Sequence, residues 1–91
     1  MKKPIRFTEY ALRKIAGRKI SLDEVVGLLR SDAQVIPDFD DPNREIYQIQ
    51  IRSRRGKLLL LRTVVEESAD EILVVTAYVT TQIKKYWREQ Q

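Results

Sequence analysis

The stretch from Arg44 to Thr80, REIYQIQIRSRRGKLLLLRTVVEESADEILVVTAYVT, decides the fold. Between Glu45 and Arg52, Tyr47, Ile49 and Ile51 alternate with Gln48, Gln50 and Arg52, the period of two expected of a strand with one buried face. Leu58 to Val65 is apolar almost throughout, which predicts a central strand covered on much of both faces, with Arg62 as its exception. Glu71 to Val79 is rich in β-branched residues, whose stiff side chains suit a pleated surface. Arg54-Arg55-Gly56-Lys57 joins the first two runs, and Gly56 is free to take the positive φ of a tight hairpin. Glu67-Ser68-Ala69-Asp70 is short and polar and predicts a four-residue loop around a type I turn. Neighbours joined so closely must run antiparallel, so the stretch reads as a meander.

Working outward, Thr8 caps a predicted helix from Glu9 to Ala16, and Gly17 fits the left-handed position that ends one. Ser21 and Glu24 stand at capping-box spacing, so a second helix starts at Leu22, buries Val25, Val26, Leu28 and Leu29, and stops by Ser31. Val35 and Ile36 make a short strand, which Pro37 confines to an edge because proline lacks the ladder donor. Asp38 to Asn43 is a loop. Thr80 or Thr81 caps a last helix reaching Arg88, which Ile83, Tyr86 and Trp87 dock on the sheet. The expected fold is one α+β domain over residues 1–91: two N-terminal helices packed on an antiparallel three- to four-stranded sheet, with a C-terminal helix. Val25, Leu28, Leu29, Ile49, Ile51, Leu59, Leu61, Val74 and Trp87 are the expected buried set.

Composition narrows the function. No run approaches the roughly 18 apolar residues of a membrane span, and the basic N-terminus is not followed by an apolar run, so cytoplasmic residence is expected. The chain has no cysteine and no histidine, which removes disulfides, thiolate chemistry and the commonest general base and metal ligand. No cofactor or metal is expected. Asp38, Asp40 and Asp41 lack the spaced ligands and glycine of an EF-hand loop and read as a solvated acidic turn.

The net charge of +4 is unevenly spread. The first twenty residues hold seven Lys or Arg against Glu9, and Arg44 to Arg62 holds six against Glu45. If Arg13, Arg18, Arg52, Arg54, Arg55 and Lys57 converge, they form a surface for a polyanion: RNA, DNA or an acidic protein. The same arginines read equally as a solvated hairpin that discourages sheet-to-sheet pairing. Tyr47, Tyr78, Tyr86 and Trp87 either stack bases or pack against the core, and packing is the commoner role.

Two motifs carry a family resemblance across almost the whole chain. The first is Thr8-Glu9-Tyr10-Ala11-Leu12-Arg13-Lys14 followed by Arg18-Lys19-Ile20-Ser21-Leu22-Asp23-Glu24-Val25. The second is Val75-Thr76-Ala77-Tyr78-Val79-Thr80-Thr81-Gln82-Ile83-Lys84-Lys85-Tyr86-Trp87. The pattern resembles a family of small bacterial and cyanobacterial domains related to the RelE/ParE-like toxins, in which a His-Ala-x-x-Arg helix precedes Arg-x-Ile-Ser and Tyr-Arg-Thr precedes an Ile-x-Lys-Tyr-Trp ending. Tyr10 stands where that family often has histidine, and Val79 where it often has arginine.

The resemblance implies a RelE-like fold and, for many members, messenger RNA cleavage, with an antitoxin as partner; others of the group poison DNA gyrase. Metal-independent cleavage by a 2′-hydroxyl needs a proton acceptor, a donor for the leaving oxygen and cations for the developing charge. Arg62, Tyr78 and Lys84 are the candidate catalytic residues on this reading, with Arg13 and Arg18 as further phosphate clamps. Arg62 has a structural alternative, an ion pair with Glu45 or Glu71, and Tyr78 can simply pack beneath the last helix. The competing functional reading is a non-catalytic module that takes an acidic, antitoxin-like partner by strand addition or helix docking.

Overall fold

Alternating side chains and tight turns assemble the meander as expected, and the computed structural model, which describes residues 2–89, shows what surrounds it. The elements run β1 (Ile5–Phe7), α1 (Glu9–Gly17), α2 (Leu22–Arg30), β2 (Gln34–Pro37), β3 (Glu45–Arg52), β4 (Leu58–Glu67), β5 (Ile72–Thr80) and α3 (Ile83–Tyr86). They form an α+β fold around a single sheet of strand order β1-β5-β4-β3-β2. The radius of gyration, 12.8 Å, is near the ~12 Å of a compact chain of this length.

The sheet differs from the antiparallel three- to four-stranded expectation. It has five strands and is mixed, because β1 pairs in parallel with β5. Three residues after Pro4 carry too little periodicity to be read as a strand. Tertiary bonds make them one: Ile72 N–H donates to Pro4 O (3.0 Å) and Thr8 N–H to Val74 O (3.1 Å). Ion pairs from Arg6 to Glu71 (2.8 Å) and Lys3 to Glu67 (2.7 Å) flank this edge. The strand foreseen at Val35 and Ile36 is β2, at the opposite edge.

The two turns set the register. Gly56, at φ 81°, closes the first hairpin by donating to Ser53 O (2.9 Å), and this pairing places Gln48 opposite Arg62. In the second turn the Ser68 hydroxyl accepts from the N–H groups of Asp70 and Glu71. A bulge then intervenes: Val65 pairs with Val74 but Val64 with Thr76, leaving Val75 as an extra residue. An unbroken ladder would set Arg62 against Ala77. The bulge instead sets it against Tyr78 and puts both side chains on one face.

Helices α1 and α2 cover the other face. Ala11, Ile15, Val25 and Leu29 close on Val65, Val74 and Ala77, with Ile5, Phe7, Ile20 and Tyr47 at the margin. Thr8 caps α1 by accepting from Ala11 N–H (2.9 Å), and Ser21 caps α2 by accepting from Asp23 and Glu24. Gly17 stays helical, and the left-handed residue is Lys19 at φ 58°. Ile20 N–H donates to Ile15 O and Lys19 N–H to Ala16 O, a Schellman ending that carries Ile20 onto the core. Of the expected buried set, Val25, Leu28, Leu29, Leu61 and Val74 are buried, whereas Ile49, Ile51, Leu59 and Trp87 are half-buried. The helices cluster toward β5 and leave the sheet positions of Ile49, Ile51 and Leu59 partly open.

The C-terminal helix is shorter than expected: Thr80 ends β5 instead of capping the helix, Gln82 holds the N-cap position without a side-chain bond, and the single turn stops where Trp87 turns extended. Beyond it the chain crosses the sheet on the face away from α1, passing β4 and β3 to reach β2. Among the described residues no helix is long and apolar enough to span a membrane.

Candidate anion-binding site

Four residues on successive strands stand directly opposite one another: Gln34 on β2, Gln48 on β3, Arg62 on β4 and Tyr78 on β5. Cross-strand neighbours share a face and lie within side-chain reach, and here they form a hydrogen-bonded row. Arg62 Nε donates to Gln48 Oε1 (3.0 Å) and Arg62 Nη1 to the Tyr78 hydroxyl oxygen. Gln48 Nε2 donates to Gln34 Oε1 (2.9 Å). The row also holds the C-terminal strap: Gln48 Nε2 donates to Tyr86 O (2.9 Å), and the Gln34 amide pairs with both backbone groups of Arg88. Gln48, on the polar side of its strand, is therefore wholly buried.

The strap lays the Tyr86 ring on Arg62, with the guanidinium carbon 3.9 Å from the ring centroid. Arg62 is only 4% exposed, yet among the described residues no carboxylate lies within ion-pairing distance of it. The alternative pairing with Glu45 or Glu71 does not form, since Glu71 is engaged by Arg6. Burying a cation without a counter-charge costs several kcal/mol on the order of magnitude seen for ions in protein interiors. Two neutral acceptors and an aromatic face offset part of that cost.

The same guanidinium lines a cavity of about 430 Å³, together with Tyr78, Lys85, Tyr86 and Arg88. Nη2 makes no hydrogen bond among the described residues. The Tyr78 oxygen accepts from Arg62, and its own proton has no acceptor among the described residues. A buried cation, two exposed cations and a tyrosine hydroxyl line one concavity, and an oxyanion complements all four, while the carboxylates of Asp38 and Asp40 line it as well.

The other candidates occupy different places. Lys84 is exposed and lines a depression with Leu58 and Ile83, so it does not join Arg62 and Tyr78; its neighbour Lys85 does. Lys85 lines both this depression and the Arg62 cavity, whereas Lys84 lines the depression alone. Arg18, Arg52 and Arg54 surround a groove on the helix-covered face, floored by Ile51, Leu59 and Val79. Arg13 shares the adjoining depression with Arg18. Arg18 is braced by donating to Ala77 O (2.8 Å), and Arg52 donates to Gly56 O (2.8 Å) across the hairpin turn. Arg55 and Lys57 are exposed at that turn. The basic residues thus divide between the two faces of the sheet.

The acidic loop turns on its own carboxylates: Asp38 Oδ1 accepts from Asp40 N–H and Asp41 Oδ1 from Asn43 N–H, both at 2.9 Å. Among the described residues no group of three acidic side chains is placed to share a cation. Sequence reading named Tyr86 only as a packing or base-stacking aromatic and missed Gln34, Gln48, Lys85 and Arg88 as site residues. The hairpin alone placed Gln48 opposite Arg62, which was the available signal. No protein-family model, curated protein or solved structure matches this chain.

Proposed function

We propose that the cavity beneath the C-terminal strap binds RNA phosphate, and that the chain is a toxin-like RNA-binding domain acting as a messenger RNA endonuclease. The observation that carries this reading is Arg62: a buried cation with no carboxylate partner among the described residues, facing a cavity and hydrogen-bonded to a tyrosine whose proton has no acceptor among them. A phosphate there supplies the missing counter-charge. The RelE-like resemblance of the N- and C-terminal motifs points to the same substrate.

In the proposed reaction the 2′-hydroxyl attacks the adjacent phosphorus, and the bond to the 5′ oxygen breaks to leave a cyclic phosphate. Asp38 and Asp40, on the cavity wall, are the carboxylates placed to accept the attacking proton, and Tyr78 donates one to the leaving oxygen. Arg62 and Lys85 stabilise the charge that develops on the phosphoryl oxygens. Arg62 also stabilises the negative charge left on the Tyr78 oxygen. Lys84 acts from outside this cavity, on phosphates further along the strand.

The test is incubation with messenger RNA, free and ribosome-bound, beside Arg62→Lys and Tyr78→Phe variants shown to be folded. Arg62→Lys keeps the charge but loses the planar, two-point grip, so cleavage should fall about 100-fold or more, the lower end for a lost transition-state donor. Cleavage that survives both changes would move the reaction elsewhere.

A second reading rests on the opposite face. The groove with Arg18, Arg52 and Arg54 at its rim and Ile51, Leu59 and Val79 in its floor suits an acidic segment with one apolar side, such as an antitoxin-like protein supplies. Titration with an acidic amphipathic peptide tests it, and Arg52→Glu with Arg54→Glu should abolish that binding. If no form binds or cleaves RNA while the peptide binds, the interaction-module reading replaces the enzyme.

A further inference from the structure

Phe39 is the most exposed large apolar residue of the described chain, at 82%, and its position is fixed by the loop that carries it. Asp38 N–H donates to Arg44 O (3.1 Å), Arg44 N–H to Asp41 O (3.1 Å), and the Arg44 side chain pairs with Asp41 (3.4 Å) and Glu66 (3.0 Å). With the Asx turn at Asp38, these bonds brace both ends of the loop and leave the ring at its tip. Phe39 lines the same cavity as Arg62, and the Arg88 guanidinium carbon lies 5.9 Å from its ring centroid. A ring left open to water by a braced loop, beside a cation cluster, is the composition of a stacking platform for a single-stranded nucleic acid.

We infer that Phe39 is a base-stacking residue: one nucleobase lies on its ring, within reach of Arg88, while the neighbouring phosphate enters the cavity toward Arg62 and Lys85. This inference rests on the phosphate-binding reading above and adds the form of the substrate. A base can reach an isolated ring only when it is unstacked and splayed from its strand, so the site selects single-stranded over duplex RNA.

The experiment compares a fluorescent single-stranded hexanucleotide of adenylate, the same strand with its bases removed, and a duplex, each titrated at low salt. Phe39→Ala should weaken binding of the adenylate strand about 5- to 150-fold, the range for loss of one stacked base. It should leave the abasic strand unchanged, while Phe39→Trp retains the affinity. Equal effects on both strands, no effect of Phe39→Ala, or duplex bound as tightly as single strand would overturn stacking. Lys85→Ala separates the two readings: if it weakens every single strand while Phe39→Ala changes none, the phosphate site stands and the platform falls. If the wild type binds neither strand, both fall. Sedimentation that shows a Phe39-dependent dimer with unchanged RNA affinity would assign the ring to a second copy of the chain.

Discussion

The Arg62 guanidinium carbon lies 3.9 Å from the Tyr86 ring centroid, so a residue of the C-terminal strap forms one wall of a buried cation's environment. The strap and the cation are mutually dependent. Without the ring, Arg62 would exchange an aromatic face for water, and the strap would lose its contact with the middle of the sheet.

Tyr86→Phe should therefore leave stability nearly unchanged, since the ring face is kept. Tyr86→Leu should cost about 1–2 kcal/mol, the scale of a largely desolvated cation–π contact. Denaturant melts of the two variants measure the difference, and hydrogen exchange at the Arg88 N–H, which donates to Gln34 Oε1, should quicken in Tyr86→Leu.

Leu61 is 1% exposed on the helix-covered face of β4. Leu61→Ala should lower stability by about 2–5 kcal/mol through lost burial and the cavity left behind. Ile51, half-buried at the open end of the same face, should cost clearly less on change to alanine. Equal midpoints for the two variants would show that the groove beside Arg18 is closed in solution.

Thr63 is fully buried, and its hydroxyl has no hydrogen-bond partner among the described residues. Thr63→Val keeps the shape and removes the orphan group, so it should raise stability by about 1 kcal/mol, the low end of the penalty for an unsatisfied buried hydroxyl. Chemical denaturation would detect the shift in midpoint.

The Tyr47 hydroxyl is pushed up to about 12, first by burial and then by its hydrogen bond to the Glu67 carboxylate. A phenol held neutral in the fold but ionising near 10 when unfolded stabilises the protein below pH 10, and that contribution is lost as pH rises to about 12. Glu67 has the opposite sign: bonds from Lys3 and then Tyr47 hold it below the usual carboxylate range. Its contribution is present above the unfolded carboxylate's titration and is lost as acid protonates the folded group. Tyr47→Phe should flatten part of the alkaline limb of a stability–pH curve, and Glu67→Gln part of the acid limb. Both groups are partly exposed, so solvent screening keeps the effects small.

Local chemistry alone determined the meander, the two N-terminal helices and the edge strand, because turn residues, caps and periodicity act within a few positions. The hairpin at Gly56 also fixes Gln48 opposite Arg62, so half of the polar row was legible in advance. Tyr78 was singled out for its place at the end of a strand, but only the bulge at Val75 turns it to the face of Arg62. A one-residue irregularity leaves no mark in a run of β-branched residues. β1 exists because β5 offers its edge to three residues that have no pattern of their own. The choice of Lys85 over Lys84 depends on how a single helical turn is rotated when two glutamines seize the strap beyond it. Gln48 reads as surface in a strand that alternates with apolar residues, yet it is buried because Arg62, Gln34 and Tyr86 satisfy its amide. Such a group can leave water only when its partners arrive from other strands, and that is decided by the tertiary structure.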